Sequence, residues 1–171
     1  MTSTSGGTSG GTPRGSDLAY ATSVPASSYE PASSVPQTPR KVLVYSDDVN
    51  TRAQVLLAVG VRPASDLPSI EYIETATEPA TIARLDVGDI DVAVLDGEAV
   101  PAGGMGICRQ LKDEIYDCPP VLILIGRPHD GWLATWSRAD AVASHPLDPM
   151  VVAEELTRLL RQRMTRPAVT S

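Results

Sequence analysis

Residues 90–96 read Ile-Asp-Val-Ala-Val-Leu-Asp, and this stretch decides the fold of the 171-residue chain. Its middle is a continuous apolar run bounded by carboxylates, which is typical of a strand buried on both faces in the interior of a parallel sheet. Asp96 stands where this strand would end. Because ligands gather at the carboxyl ends of the strands in open α/β sheets, Asp96 is the first candidate site residue.

Further strands and helices alternate on both sides of this stretch. The apolar runs that predict strands lie at residues 41–45, 70–74, 121–125 and 141–144. Helical patterns follow the strands at residues 50–59, 78–85, 103–112, 130–138 and from 149 to about 163. Gly60 is a typical helix stop, and Asp148 followed by Pro149 is typical of a helix N-cap and first turn.

Five strands alternating with five helices predict a doubly wound α/β fold with a five-stranded parallel sheet. Right-handed crossovers favour the flavodoxin-like strand order 2-1-3-4-5. In this order the first and third strands are neighbours. Asp47 and Asp96 are therefore expected together at one edge of the sheet, with Ile125, Ser144 and His145 nearby.

Residues 1–40 have a different composition from the rest of the chain. Of these residues, 25 are Ser, Thr, Gly or Pro, and the four charged side chains cancel. Such a segment buries too little apolar surface to offset its ordering entropy, so we expect it to be disordered alone. The sequence thus predicts a tail at 1–40, a folded domain at 41–163 and a short C-terminal tail at 164–171.

Apolar side chains punctuate the second half of the N-terminal tail. They are Leu18, Tyr20, Val24, Tyr29 and Val35. Spaced anchors on a flexible chain, with prolines that lower the entropy lost on ordering, are typical of a segment that folds onto a partner. An inert solubilising tail is the alternative interpretation.

Composition excludes several classes of function. The net charge of −7 disfavours binding to nucleic acid or to an anionic membrane. The sequence contains no apolar run near the ~20 residues of a membrane span and no secretion signal. Cys108 and Cys118 match no metal or redox motif, so we interpret them as reduced thiols. We expect a cytoplasmic protein, with peripheral attachment to a larger complex left open.

Several short motifs in the sequence resemble those of one protein family. Residues 41–48 read Lys-Val-Leu-Val-Tyr-Ser-Asp-Asp, Gly104 follows Asp96 by eight positions, and His145-Pro146 precedes the last helix. In this order and spacing they resemble the receiver domain of bacterial two-component response regulators, over residues 41 to about 161. The resemblance implies that Asp96 is the phosphoacceptor position and that the peptide bond before Pro146 is cis.

The same resemblance shows where this chain departs from the family. In the family, two carboxylates and the acceptor hold Mg²⁺, a lysine pairs with the phosphoryl group and a hydroxyl donates to it. Ser46 stands at the first carboxylate position, Ile125 at the hydroxyl position, His145 at the lysine position and Val142 at the aromatic switch position. Phosphoryl transfer depends on positioning and on charge neutralisation, so these departures predict a degenerate site.

The degenerate site implies little chemistry of its own. Ser46, Asp47 and Asp48 form a vestigial acidic pocket, in which Asp47 and Asp96 would hold Mg²⁺ weakly at best. We expect no required cofactor and no enzymatic activity.

We therefore expect a non-catalytic pseudo-receiver that serves as an interaction module or an accessory subunit of a larger protein assembly. Trp132 and Trp136 lie four positions apart on the weak fourth helix; we expect one in the core and the other exposed as a partner contact. The alternative is a stand-alone response regulator phosphorylated on Asp96 by a histidine kinase. A DNA-binding regulator is disfavoured by the charge and by the short segment after the last helix.

Overall fold

The computed structural model describes Gly11 and residues 38–166. Strands and helices alternate along this part of the chain, and a single 3₁₀ turn precedes the fourth helix. They are β1 (Arg40–Tyr45), α1 (Val49–Val59), β2 (Ile70–Thr75), α2 (Glu78–Asp86), β3 (Val92–Asp96), α3 (Gly104–Glu114), β4 (Val121–Ile125), the 3₁₀ turn (Pro128–Asp130), α4 (Gly131–Trp136), β5 (Ala141–Ser144) and α5 (Pro149–Thr165).

All strands belong to one parallel sheet with the order β2-β1-β3-β4-β5, which confirms the predicted fold and topology. Tyr45 on β1 pairs with Leu95 on β3. The residue that follows each of them is polar, so this register brings Ser46 beside Asp96 at the carboxyl edge of the sheet. Asp96 in turn pairs with Leu124 on β4, and this places the end of β4 on the other side of the acceptor position.

The core has two layers because successive side chains of a strand point to opposite faces of the sheet. On β1, Val42 and Val44 pack with the cluster that contains residues of α1 and α5. Leu43 and Tyr45 pack with the cluster that contains residues of α2 and α3. The central strands are buried on both faces, as the apolar runs predicted.

The ends of several elements differ by a few residues from the sequence-based bounds. Arg40 already belongs to β1, and α5 continues to Thr165. The fourth helix is shorter than predicted, because Pro128–Asp130 form a 3₁₀ turn before α4 begins. Among the described residues, no helix is long and apolar enough to cross a membrane.

The prediction that one tryptophan of α4 lies in the core is wrong. Trp132 is 67% exposed and Trp136 is 53% exposed, whereas Ala134 is the buried residue of this helix. Residues four positions apart share one face of a helix, so the two indoles face solvent together and the residue between them faces the sheet. Arg109 stacks over the Trp136 ring, with 5.9 Å from its guanidinium carbon to the ring centre.

The proposed anchors of the N-terminal tail lie outside the described residues. They are Leu18, Tyr20, Val24, Tyr29 and Val35. Their role as partner contacts stays a prediction.

Asp89 links α2 to β1 at the edge of the sheet opposite to Asp96. Its carboxylate accepts hydrogen bonds from Arg84 Nη1 at 2.6 Å and Nη2 at 3.0 Å, and from Lys41 Nζ at 2.6 Å. Arg84, and secondarily Lys41, hold the pKa of Asp89 far below its usual range. A lowered pKa in the folded state means that the ionised carboxylate stabilises the fold above the unfolded pKa of about 3.9.

We therefore expect Asp89→Asn to lower the urea midpoint at neutral pH, and this difference from wild type to shrink as the pH falls below about 4. Urea titrations across this pH range measure the effect. Asp86→Asn is the matched control, since Asp86 is an exposed carboxylate at the end of the same helix. A difference between wild type and Asp89→Asn that stays constant down to pH 3 would contradict the assignment.

Candidate functional site

A shallow cleft of about 340 Å³ opens at the carboxyl edge of the sheet. Neighbouring β1 and β3 deliver its acidic residues, and the segments after β4 and β5 close the other side. The lining residues are Asp47, Asp48, Thr51, Asp96, Glu98, Gly126 and His145. The structure thus brings Asp47, Asp96 and His145 together, as their strand ends predicted.

Ser46 is hydrogen-bonded directly to the acceptor position. Its hydroxyl donates to Asp96 Oδ2 at 2.7 Å and accepts from the backbone N–H of Asp48 at 3.1 Å. Asp96 Oδ1 accepts from the backbone N–H of Glu98 at 2.9 Å. Ser46 is fully buried and Asp96 is 3% exposed, so both carboxylate oxygens have partners within the protein. The sequence predicted that position 46 lacks a carboxylate. It did not predict that the Ser46 hydroxyl would donate a hydrogen bond to Asp96.

Asp48 is engaged in capping α1. Its Oδ1 accepts from the backbone N–H of Asn50 at 2.9 Å, and its Oδ2 accepts from Thr51 Oγ1 at 3.2 Å. The Asn50 N–H is the largest cause of the lowered pKa of Asp48. The sequence placed Asp48 in the acidic pocket; the structure shows that it lines the cleft and that its side chain also caps the helix, and both Asp47 and Asp48 are exposed.

Of the other positions predicted from the resemblance, His145 lines the cleft, whereas Ile125 and Val142 have apolar side chains that cannot donate a hydrogen bond. Ile125 is 2% exposed and packs in the layer under α3. Val142 is half-buried against the same layer. His145 is half-buried, and its backbone N–H donates to the carbonyl of Ile125 at 2.8 Å. The peptide bond between His145 and Pro146 is cis.

The charge around the cleft is strongly negative. Among the described residues, the lining includes four carboxylates and neither a lysine nor an arginine. Arg52, on the first turn of α1, is engaged away from the cleft: its Nη1 donates to the backbone carbonyl of Ser46 at 2.6 Å and its Nε to Glu74 at 3.0 Å. An incoming phosphoryl group would therefore meet carboxylates without a fixed cation to offset them.

The donor set also fits Mg²⁺ poorly. This ion demands near-octahedral oxygen ligands and is usually held by one or two carboxylates with waters and phosphate oxygens. Asp47 offers an exposed carboxylate, but both oxygens of Asp96 already accept hydrogen bonds. In the part of the chain that the structure describes, no group of three carboxylate, imidazole or thiolate side chains is placed to hold a metal. These residues do not fit a tight Mg²⁺ site.

Glu98 is the residue that the sequence-based interpretation missed. Its carboxylate reaches from the loop after β3 to the backbone N–H of Gly126 at the end of β4, at 3.2 Å. The predicted strand order makes β3 and β4 neighbours, and Glu98 and Gly126 each follow one of these strands closely. This order could therefore have indicated that the two residues lie near each other. Without the strand register, however, the direction of an exposed side chain could not be predicted.

Comparison with known proteins decides the family. The chain is 55% identical over 124 residues to response regulatory proteins of two strains of Mycobacterium tuberculosis, and the match covers 72% of this chain and 93% of each relative. The chain belongs to the response regulators, and its folded part is a receiver domain. This receiver matches none of the protein-family models with which it was compared.

Solved structures show the same fold at low sequence identity. A receiver domain of a Syntrophus aciditrophicus histidine kinase superposes with a TM-score of 0.63 at 18% identity, covering 77% of this chain and 98% of that one. A Francisella response regulator receiver gives 0.61 at 17% identity, covering 72% and 98%. A chemotaxis response regulator of Vibrio cholerae gives 0.60 at 21% identity, covering 72% and 100%. The receiver fold predicted from the sequence is confirmed.

Proposed function

We propose that this receiver is a non-catalytic pseudo-receiver that works as a protein interaction module or as an accessory subunit of a larger assembly. The observation that carries the proposal is the hydrogen bond of 2.7 Å from Ser46 to Asp96. It places a neutral donor where the family has a carboxylate. With the N–H of Glu98 on the other oxygen, each oxygen of the buried acceptor carboxylate accepts a hydrogen bond from the protein.

The side chains around Asp96 support the same conclusion. Phosphoryl transfer is accelerated mainly by preorganised donors and cations that stabilise the charge on the transferring group. Ile125 has no donor, His145 replaces a lysine, and the lining carboxylates repel an anion. Each missing donor costs about 10²–10³ in rate. We infer that Mg²⁺ binds weakly at most and that phosphorylation of Asp96 is too slow to signal.

Exposed aromatic side chains offer a surface for a protein partner. Trp132 and Trp136 present two indoles on one face of α4, and indoles are enriched at the energetic centres of interfaces. The N-terminal residues would add their apolar anchors to such a contact. In this proposal the receiver acts by being held in a complex rather than by being modified.

A second candidate function rests on Asp96 itself. The residue keeps the acceptor position at the end of β3, and Asp47 stays beside it in the same cleft. This arrangement supports a stand-alone response regulator that receives a phosphoryl group from a histidine kinase.

Incubation of the full-length protein with acetyl phosphate and Mg²⁺ separates these two functions. The pseudo-receiver is expected to show no stoichiometric adduct by intact mass, whereas a phosphorylatable receiver treated in parallel should be modified. An acid-stable, base-labile adduct that Asp96→Asn abolishes would overturn the proposal and favour the second candidate.

Partner binding is tested with the affinity-tagged full chain. Asp96→Asn should recover the same partner as wild type. Deletion of residues 1–37, which leaves β1 intact, should weaken recovery while the remaining domain stays folded. Trp132→Ala together with Trp136→Ala should weaken it as well. Loss of the partner in Asp96→Asn alone, in a folded protein, would contradict an interaction that is independent of the acceptor.

A further inference from the structure

Glu98 carries a carboxylate across the mouth of the cleft. Its backbone N–H donates to Asp96 Oδ1 at 2.9 Å, which ties the residue to the acceptor. Its side chain extends from there to the end of the neighbouring strand, where Oε1 accepts the N–H of Gly126 at 3.2 Å. Both residues line the cleft with Asp96 and His145. Glu98 thus contacts Asp96 through its backbone N–H and Gly126 through its side-chain carboxylate.

Gly126 provides the space that this carboxylate occupies. A Cβ at position 126 would lie 2.6 Å from Glu98 Cδ and 2.7 and 2.9 Å from its two oxygens, closer than real Cβ contacts. Gly126 is not among the described glycines with positive φ, so the backbone here does not itself require glycine. Because Gly126 has no side chain, the Glu98 carboxylate can lie against its backbone.

The Gly126 N–H that Glu98 accepts is also the kind of donor that would bind an oxyanion in this cleft. An unpaired backbone N–H at the end of a strand is a strong donor, and a charged acceptor makes a stronger hydrogen bond to it than a neutral one. A phosphoryl group on Asp96 would bring its oxygens into the space between Asp96 and Gly126. The Glu98 carboxylate already brings negative charge to Gly126 and accepts its N–H.

We propose that Glu98 is a built-in anion that occupies the Gly126 N–H and opposes the binding of phosphoryl groups and other oxyanions in the cleft. The inference deepens the proposed function and rests on the same pocket, because it gives a second reason why Asp96 stays unmodified. The substituted positions fail to assist an incoming anion, whereas Glu98 repels it.

Amide hydrogen exchange tests the contact directly in the full-length protein. Replacement of Glu98 by alanine is expected to speed exchange of the Gly126 N–H by about tenfold, since the charge-assisted bond is lost. Gly126→Ala should speed exchange of the residue 126 amide similarly, because the new Cβ displaces only the flexible end of Glu98. The control is Asp130→Asn, in the 3₁₀ turn that follows the same strand, which should leave this amide unchanged.

Oxyanion entry is tested by titration with sulfate, without Mg²⁺ and without a phosphodonor. In Glu98→Ala the amide resonance of Gly126 should shift with sulfate, and in wild type and Asp130→Asn it should not. Equal sulfate shifts in wild type and Glu98→Ala, or unchanged exchange in Glu98→Ala, would overturn the inference. These readouts do not depend on phosphorylation of Asp96. Modification of the wild-type protein by acetyl phosphate would refute the pseudo-receiver proposal, whereas the exchange and sulfate measurements decide the role of Glu98.

Discussion

Combining Ser46→Asp, Ile125→Thr and His145→Lys in one variant is expected to raise the initial rate of Asp96 phosphorylation by acetyl phosphate about 10⁴-fold over wild type in the presence of Mg²⁺. The threonine and the lysine each restore a donor to the transferring group. Ser46→Asp removes the hydroxyl that now donates to Asp96 Oδ2 and supplies the missing carboxylate for the ion. Intact mass over time measures the adduct.

The same three changes combined with Asp96→Asn form the control, which should stay unmodified. Urea unfolding must first show that the rebuilt variant is folded, since Ile125 is buried and threonine brings a hydroxyl into its place. Adding Glu98→Ala should raise the rate further if the built-in anion opposes entry. A folded triple variant no faster than wild type would contradict the view that these positions limit the chemistry.

Mg²⁺ binding gives an independent readout of the rebuilt pocket. A ligand that binds only the folded state raises its stability in proportion to the logarithm of its concentration over Kd. The rebuilt variant should therefore melt at a temperature that rises with added Mg²⁺, whereas the Tm of wild type should change little.

The second large effect concerns Gly104, the first residue of α3. A Cβ at this position would lie 2.8 Å from the backbone oxygen of Asp96 and 2.8 Å from Leu95 Cβ. Neither atom belongs to a flexible side-chain end, so the helix must move away from β3 or the strand must shift. We expect Gly104→Ala to lower the free energy of unfolding by about 1–3 kcal/mol in urea titrations.

Gly106 is the matched control, two residues further along the same helix. It is exposed, and a Cβ there would meet no atom within 4 Å. Because alanine is the better helix former, Gly106→Ala should raise the free energy of unfolding by about 0.5–1 kcal/mol. A higher free energy of unfolding in both variants would show that helix propensity rather than contact with β3 governs Gly104.

The fold was predictable because its signals are local. The apolar runs of β3 and β4 are long enough to indicate buried strands without knowledge of their partners. Right-handed crossover connections then restrict the topology to few strand orders. The α4 region shows the limit of this approach. Its two tryptophans favoured a core position for one of them, but both are exposed, and the buried residue of this helix is Ala134.

The acceptor position could be predicted, but its environment could not. Asp96 was found from the end of its strand, and the missing donors at Ile125 and His145 were found from the resemblance. The hydrogen bond from Ser46 depends on the register that pairs Tyr45 with Leu95, fifty positions away in the chain. The contact of Glu98 with Gly126 depends on the side-chain direction of an exposed residue in a loop, for which no periodic pattern exists.

By itself the sequence determined that five buried or half-buried strands alternate with helices and that carboxylates follow two neighbouring strands at the carboxyl edge of the sheet. Hydrophobic periodicity carries this information within short segments of the chain. Only the tertiary structure decided that the hydroxyl of Ser46 takes one oxygen of Asp96 and that the Glu98 carboxylate lies on the Gly126 N–H. Hydrogen bonds between distant residues are directional and short-ranged, so they are defined only after strand register and packing place the atoms.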